Sequence, residues 1–260
     1  MSPDLEAAFI TLFNDMAEAW RRAPGPEPVA IGDGDLRQRG EIGVVAVIHG
    51  WMARLVRTGE AALLCLSQGF GEECSPLVRS MMEHAIGLFW LVDRKGDAFQ
   101  TLVRARSMQM QKLQKAQEDG WSVGDDEMQE LLRAAITTET DESGKSDDHL
   151  LHLANQAKEY ALGSLYQGWL VETWTSHPSY ASASAYFVQG DDQQEPNYVL
   201  LPSRQGDQRP VAAAVVSAMH LALFAYNKLL SGEPLSGPLE GWLVRSGELA
   251  ERLAAEQAGH

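Results

Sequence analysis

PLVRSMMEHAIGLFWLV (76–92) is the stretch on which the fold turns. Only Arg79, Ser80, Glu83 and His84 break its apolar run. It is too apolar all round to lie on a surface, so it predicts a central helix. Ser75-Pro76 opens that helix, a capping residue followed by a proline at the first helical position, and the pattern carries it to about Asp93. Arg79 and Glu83 stand four apart and share a face. Arg before Glu is the weaker order for an exposed pair, and a buried pair costs desolvation. The pair is therefore either a structural tie to a neighbouring helix or part of a polar site at a helix junction.

Working outward, helical spacing continues on both sides. Leu5, Phe9, Leu12, Phe13, Met16 and Trp20 follow Ser2-Pro3 and stop before the breaker cluster APGPEP (23–28). A second helix is predicted over Leu36–Ser67, weakened by Gly43, Gly50 and Gly59. After the central helix come an amphipathic segment over Asp97–Asp119, a short helix over Asp125–Thr138, and one or two more over Asp148–Trp174. Between Pro178 and Pro210 the texture changes. Two short β-like runs, Ala185–Val188 and Tyr198–Leu201, flank GDDQQEPN and suggest a hairpin or an irregular excursion. Helix returns over Val211–Leu230, apolar nearly all round, and over Leu239–Glu256.

The expected fold is all-α, a bundle of seven to nine helices with a small irregular or β-hairpin insert at 178–210. It forms one helical domain over 1–260: an N-terminal helix and Pro-rich turn (1–30), main helices (36–177), the insert, and C-terminal helices (211–258). At 260 residues the chain is long enough to bury a core without staples.

Composition narrows the function classes. Lys+Arg 21 against Asp+Glu 36 gives a net charge of −15, which excludes a polycationic nucleic-acid coat. The acidity is local: residues 116–148 hold eleven acidic side chains against Arg133 and Lys145. That segment suits a solvated excursion that shields a site or recruits a basic protein partner. Cys65 and Cys74 cannot build a disulfide framework or a four-ligand zinc site and are expected as buried thiols. No basic n-region precedes an apolar one in MSPDLEAAF, and Val211–Tyr226 falls short of the ~20 residues a span needs. A reducing, cytoplasmic protein with no membrane contact is expected.

The standard catalytic and cofactor signatures are missing. There is no GxGxxG, GxxxxGKS/T, GxSxG, CxxC or HExxH, and no His follows an acidic residue at the di-metal offset. Neither metal nor cofactor is expected. Attention falls on ETWTSHPSYASASAY (172–186). Proline 178 disfavours helix at His177, so this imidazole sits where a helix ends, with Trp174, Ser176, Ser179 and Tyr180 around it. It either caps that helix or serves as an acid or base. His149 and His152, beside Asp147 and Asp148, read as a solvated helix start. His49 and His220 read as core histidines or pocket-lining ones. Arg104, Arg106, Lys112 and Lys115 read as a solvated helix surface, with phosphate contact as the minority reading.

Arg79-Ser-Met-Met-Glu83-His84 resembles the R-x4-H pattern of HEPN domains, an all-helical superfamily with many dimeric, metal-independent ribonucleases of toxin–antitoxin and phage-defence systems. More narrowly, the Arg79/Glu83 helix with the later Ser176-His177-Pro178 looks like a bacterial family of helical domains carrying an R-x3-E helix and an S/T-H-P element. The resemblance covers roughly residues 40 to 230. It implies RNA transesterification, with His84 as acid/base, Arg79 stabilising the phosphate, Glu83 holding Arg79, and His177 as a second acid/base. Ser80, Ser176, Tyr180 and Trp174 would line the substrate, and a homodimer would be the working form. An ideal helix sets Arg79 and His84 about 140° apart, so one cleft receives both only if the helix bends or a second chain contributes. The alternative is a non-catalytic module that binds a nucleotide, small ligand or protein through Arg79, Glu83 and His177.

Overall fold

The computed structural model describes residues 1–26, 36–120, 145–189, 198–201 and 209–259, with Glu130 singly. The apolar stretch becomes the first half of α3 (Ser75–Glu118). This long helix kinks at Lys95, where φ 45° and ψ −116° interrupt helical geometry, between the two helical patterns read from the sequence. Before it runs α2 (Leu36–Ser67), unbroken by its glycines. The two lie antiparallel and pack closely at Gly43 and Gly87: a Cβ would stand 2.4 Å from the Phe99 ring at the first and 2.5 Å from the Trp51 ring at the second.

Three more helices close the core. In α1 (Pro3–Arg22), Leu5, Phe9, Leu12, Phe13 and Met16 are buried. The nearly uniform apolar character of α7 (Val211–Asn227) reflects packing against α1, α2 and α3 at once. Last comes α8 (Ser236–Ala258), with Leu239, Trp242 and Leu249 buried. Ile48, Met52, Met81, Ile86, Trp90, Met219 and Leu223 join these in one apolar cluster.

The two Ser-Pro helix starts find long-range partners, and at Ser75 the capping expectation is corrected. Ser2 sits before α1 without a capping bond, because its amide and hydroxyl reach Glu256 on α8 at 2.7 and 2.5 Å. Ser75 is the first residue of α3, and its hydroxyl is engaged by Thr175 and Arg209.

The remaining elements lie along one flank of α3. A 3₁₀ turn (Lys145–Leu151) leads into α4 (Leu153–Glu159) and α5 (Gly163–Ser176). The insert has a helical turn α6 (Tyr180–Ala183), a 3₁₀ turn (Ser184–Tyr186), and strands β1 (Phe187–Gln189) and β2 (Tyr198–Leu200). The strands pair antiparallel with Val188 opposite Val199. An all-α bundle with a small hairpin is thus what the chain forms. The helix expected over Asp125–Thr138 and most of the acidic segment lie outside the described residues.

Candidate functional site

Helix α5 meets α3 closely at Gly168, where a Cβ would stand 3.0 Å from the Met82 methyl. The next residue, Trp169, is thereby set over Arg79, with the guanidinium carbon 5.4 Å from the ring centre. The indole N–H donates to Glu83 Oε1 at 2.8 Å, and the same oxygen stands 3.1 Å from Arg79 Nη2. Proline 178 ends α5 with His177 extended (φ −105°, ψ 153°), which brings its ring back to α3. Arg79 Nη1 lies 3.0 Å from His177 Nε2. A guanidinium only donates, so Nε2 is the acceptor and the ring's proton sits on Nδ1. Arg79 Nε is buried without a hydrogen-bond partner among the described residues.

One turn away lies a second charged cluster. Arg209, between the insert and α7, pairs with the buried Glu172 of α5 and donates to Ser75 at 2.5 Å and Thr175 at 3.1 Å. Glu72 stands 4.0 Å from the same guanidinium. Burial pushes the Glu172 carboxyl above its ordinary range, against the opposing pull of Arg209 and Ser75. Among the described residues its Oε2 lacks a hydrogen-bond partner. Glu172 and Arg209 escape sequence reading because partners 37 residues apart, one beyond an irregular insert, leave no periodic signal.

His84 goes elsewhere. Its Nδ1–H donates to the Ser80 carbonyl at 2.7 Å, and its ring stands edge-on to Trp51 of α2, 5.3 Å between centres. Burial holds it below the ordinary imidazole range; the Ser80 bond raises it and nearby Arg54 lowers it further. Arg79 and His84 thus serve opposite flanks of α3, one toward α5 and the other toward α2. Around His177, Trp174 and Tyr180 are 60% and 76% exposed, while the Ser176 hydroxyl turns back to the Glu172 carbonyl at 2.6 Å.

Several polar residues read as solvated are tied down. Asp147 is buried with Arg94 4.0 Å away, and Asp148 pairs at 2.6 Å with Arg104, which is largely covered. These two aspartates therefore anchor the 3₁₀ turn to α3. His49 is exposed and within 3.0 Å of the Tyr226 hydroxyl. Cys74 is buried with its thiol pushed up to about 12, chiefly by burial, and Cys65 is part-exposed. Among the described residues, no group of three His, Cys, Asp or Glu gathers to hold a metal, and no helix is long and apolar enough to cross a membrane.

No curated protein and no solved structure matches the chain. A family model does match residues 45–195, more than half the length, spanning Arg79, Glu83, Trp169, Glu172 and His177 but not Arg209. By that match the chain belongs to DUF5677, a family of unknown function.

Proposed function

We propose that this protein is a HEPN-like helical module that binds a phosphate-bearing ligand, a nucleotide or the backbone of RNA, through Arg79 and His177. The observation that carries the reading is Arg79 itself. Its guanidinium lies over Trp169, is steadied by Glu83, and reaches the exposed His177 at the end of α5. A guanidinium has five N–H donors, and these neighbours leave part of its fork for an oxyanion. Its side chain is 26% exposed, so a phosphate reaches it without the bundle opening. Exposed Trp174 and Tyr180 nearby offer faces on which a base would stack. Because Glu83 balances the cation, the site favours one phosphate group over a long polyanion.

His84 supports binding rather than cleavage as the primary role, since its Nδ1 is committed to Ser80 and its ring to Trp51. A second reading keeps the metal-independent ribonuclease, with His177 as the acid/base beside Arg79, and rests on their 3.0 Å contact.

Titration of the full chain with 5′-AMP, followed by calorimetry, tests binding. Arg79→Gln should weaken it by about tenfold or more, the scale of a hydrogen bond to a charged group. Adenosine, lacking phosphate, should bind far less well; equal affinity for both would remove the phosphate reading. Incubation with a fluorescence-quenched RNA separates the two readings. Cleavage lost in His177→Ala but kept in His84→Ala would favour the ribonuclease, and growth arrest on expression would then place it with toxins.

A further inference from the structure

Where α7 turns into α8 lies an open pocket of about 210 Å³, bordered by His220, Phe224, Lys228, Glu233, Glu240 and Leu243. That is roughly the liquid volume of seven waters, the scale of a small molecule and not of a peptide. Three features mark it as built. His220 and Phe224 on α7 and Lys228 just past its end recur at four-residue spacing, so one stripe forms a wall. Glu233 adopts a left-handed backbone, φ 47°, which a side-chain-bearing residue rarely keeps without support. The support is Asn227, buried at the end of α7, which accepts from the Leu235 amide at 2.9 Å and donates to Ser236 at 3.1 Å.

The chemistry of the lining selects the ligand. Glu233 and Glu240 bring two carboxylates against one ammonium, Lys228. That ammonium lies 5.0 Å from the Phe224 ring centre and the ring also stacks with Phe89 of α3, so Phe224 offers the pocket apolar surface while Lys228 holds its cation contact. His220 makes no hydrogen bond or ion pair among the described residues. Burial holds its imidazole below the ordinary range, and near neutral pH the ring presents one nitrogen as an acceptor. An acceptor and two anions favour an N–H-bearing cation. Phe224 and Leu243, 46% and 61% exposed, supply apolar surface for its body.

We infer that the α7–α8 pocket is a binding site for a small organic cation, a primary ammonium on an apolar or aromatic body, recognised by Glu233, Glu240, His220 and Phe224. This is a second site, independent of the phosphate reading at Arg79.

The probe is 2-phenylethylammonium, added to the full chain with ring-labelled histidines and followed by NMR at pH 7.5. 2-Phenylethanol and 3-phenylpropionate are the neutral and anionic controls. The expected result is a saturable shift of the His220 signal, assigned by its loss in His220→Gln, with the ammonium binding at least about fivefold more tightly than either control. Glu240→Gln, an exposed change that leaves the core intact, should weaken the ammonium about fivefold, the upper range for a partly screened charge pair. Equal binding of ammonium and alcohol, no effect of Glu240→Gln, or no shift at His220 would each overturn the assignment.

Discussion

Arg209 is where one residue most clearly holds several elements together. It ties Glu172 of α5 to Ser75 and Glu72 at the start of α3 from a position just before α7. Removing the cation leaves Glu172 buried without its counter-charge, and Oε2 already lacks a partner among the described residues. Arg209→Met should therefore cost about 3–5 kcal/mol in urea unfolding. Arg209→Met with Glu172→Met should recover most of that loss, because an apolar pair in a buried site carries no desolvation penalty. If the double substitution costs as much as the two single ones combined, the cluster is not a coupled charge network. At this scale the sequence is uneven as a guide. Arg79, Glu83 and His177 stand out because each is polar where its neighbours dictate otherwise: two within an apolar helix, one forced out of helix by proline. Arg209 stands out in no local pattern. Asp147 and Asp148 mislead, since an acidic run looks solvated until Arg94 and Arg104 meet it from α3.

Among the elements, α3 positions the candidate site through its neighbours on either side. Toward α2, Trp51 fills the space over Gly87 and against His84. Gly87→Ala adds a methyl 2.5 Å from that ring. Overpacking of this kind costs about 1–3 kcal/mol, more than the ~1 kcal/mol that alanine gains over glycine in a helix. The net expectation is destabilisation, read as a lowered urea midpoint; a raised midpoint would mean that Trp51 simply swings away. Further along, Lys95 holds φ 45° and ψ −116°, a conformation open mainly to glycine. Lys95→Gly should accordingly raise stability, by about 1 kcal/mol, where glycine in a regular helix would lower it by about as much. Element existence is legible because the 3.6-residue pattern survives in α1, while the first half of α3 and α7 stand out as apolar runs too long for strands. The break at Lys95 is legible only as a change of texture between Asp93 and Asp97, because strain is a property of the backbone path and not of residue type.

For the whole molecule, the buried titratable groups set opposing responses to pH. His84 and His220 are both held below the ordinary imidazole value of 6.5, chiefly by burial. In the range below 6.5 the unfolded chain binds protons at these two positions that the folded chain refuses, so stability falls as pH falls through it. Glu172 has the opposite sign. Its carboxyl is raised above 4.5, again chiefly by burial, so the fold takes up a proton sooner than the unfolded chain. Its contribution is fully present below 4.5 and is lost as pH rises through the folded value. The two histidines make the urea midpoint drop as the solution passes below 6.5. His84→Gln removes one of the two imidazoles and keeps a side-chain N–H for the Ser80 carbonyl. That variant should lose less of its midpoint than the wild type between pH 7.5 and 5.5, whatever its absolute stability. Glu172→Gln has the opposite effect above 4.5: with its opposing slope gone, the loss of midpoint on acidification toward 4.5 becomes steeper. Should the His84 variant follow the wild-type pH curve in parallel, His84 would not be a buried neutral group. The packing of Trp51 over α3 would then need another account.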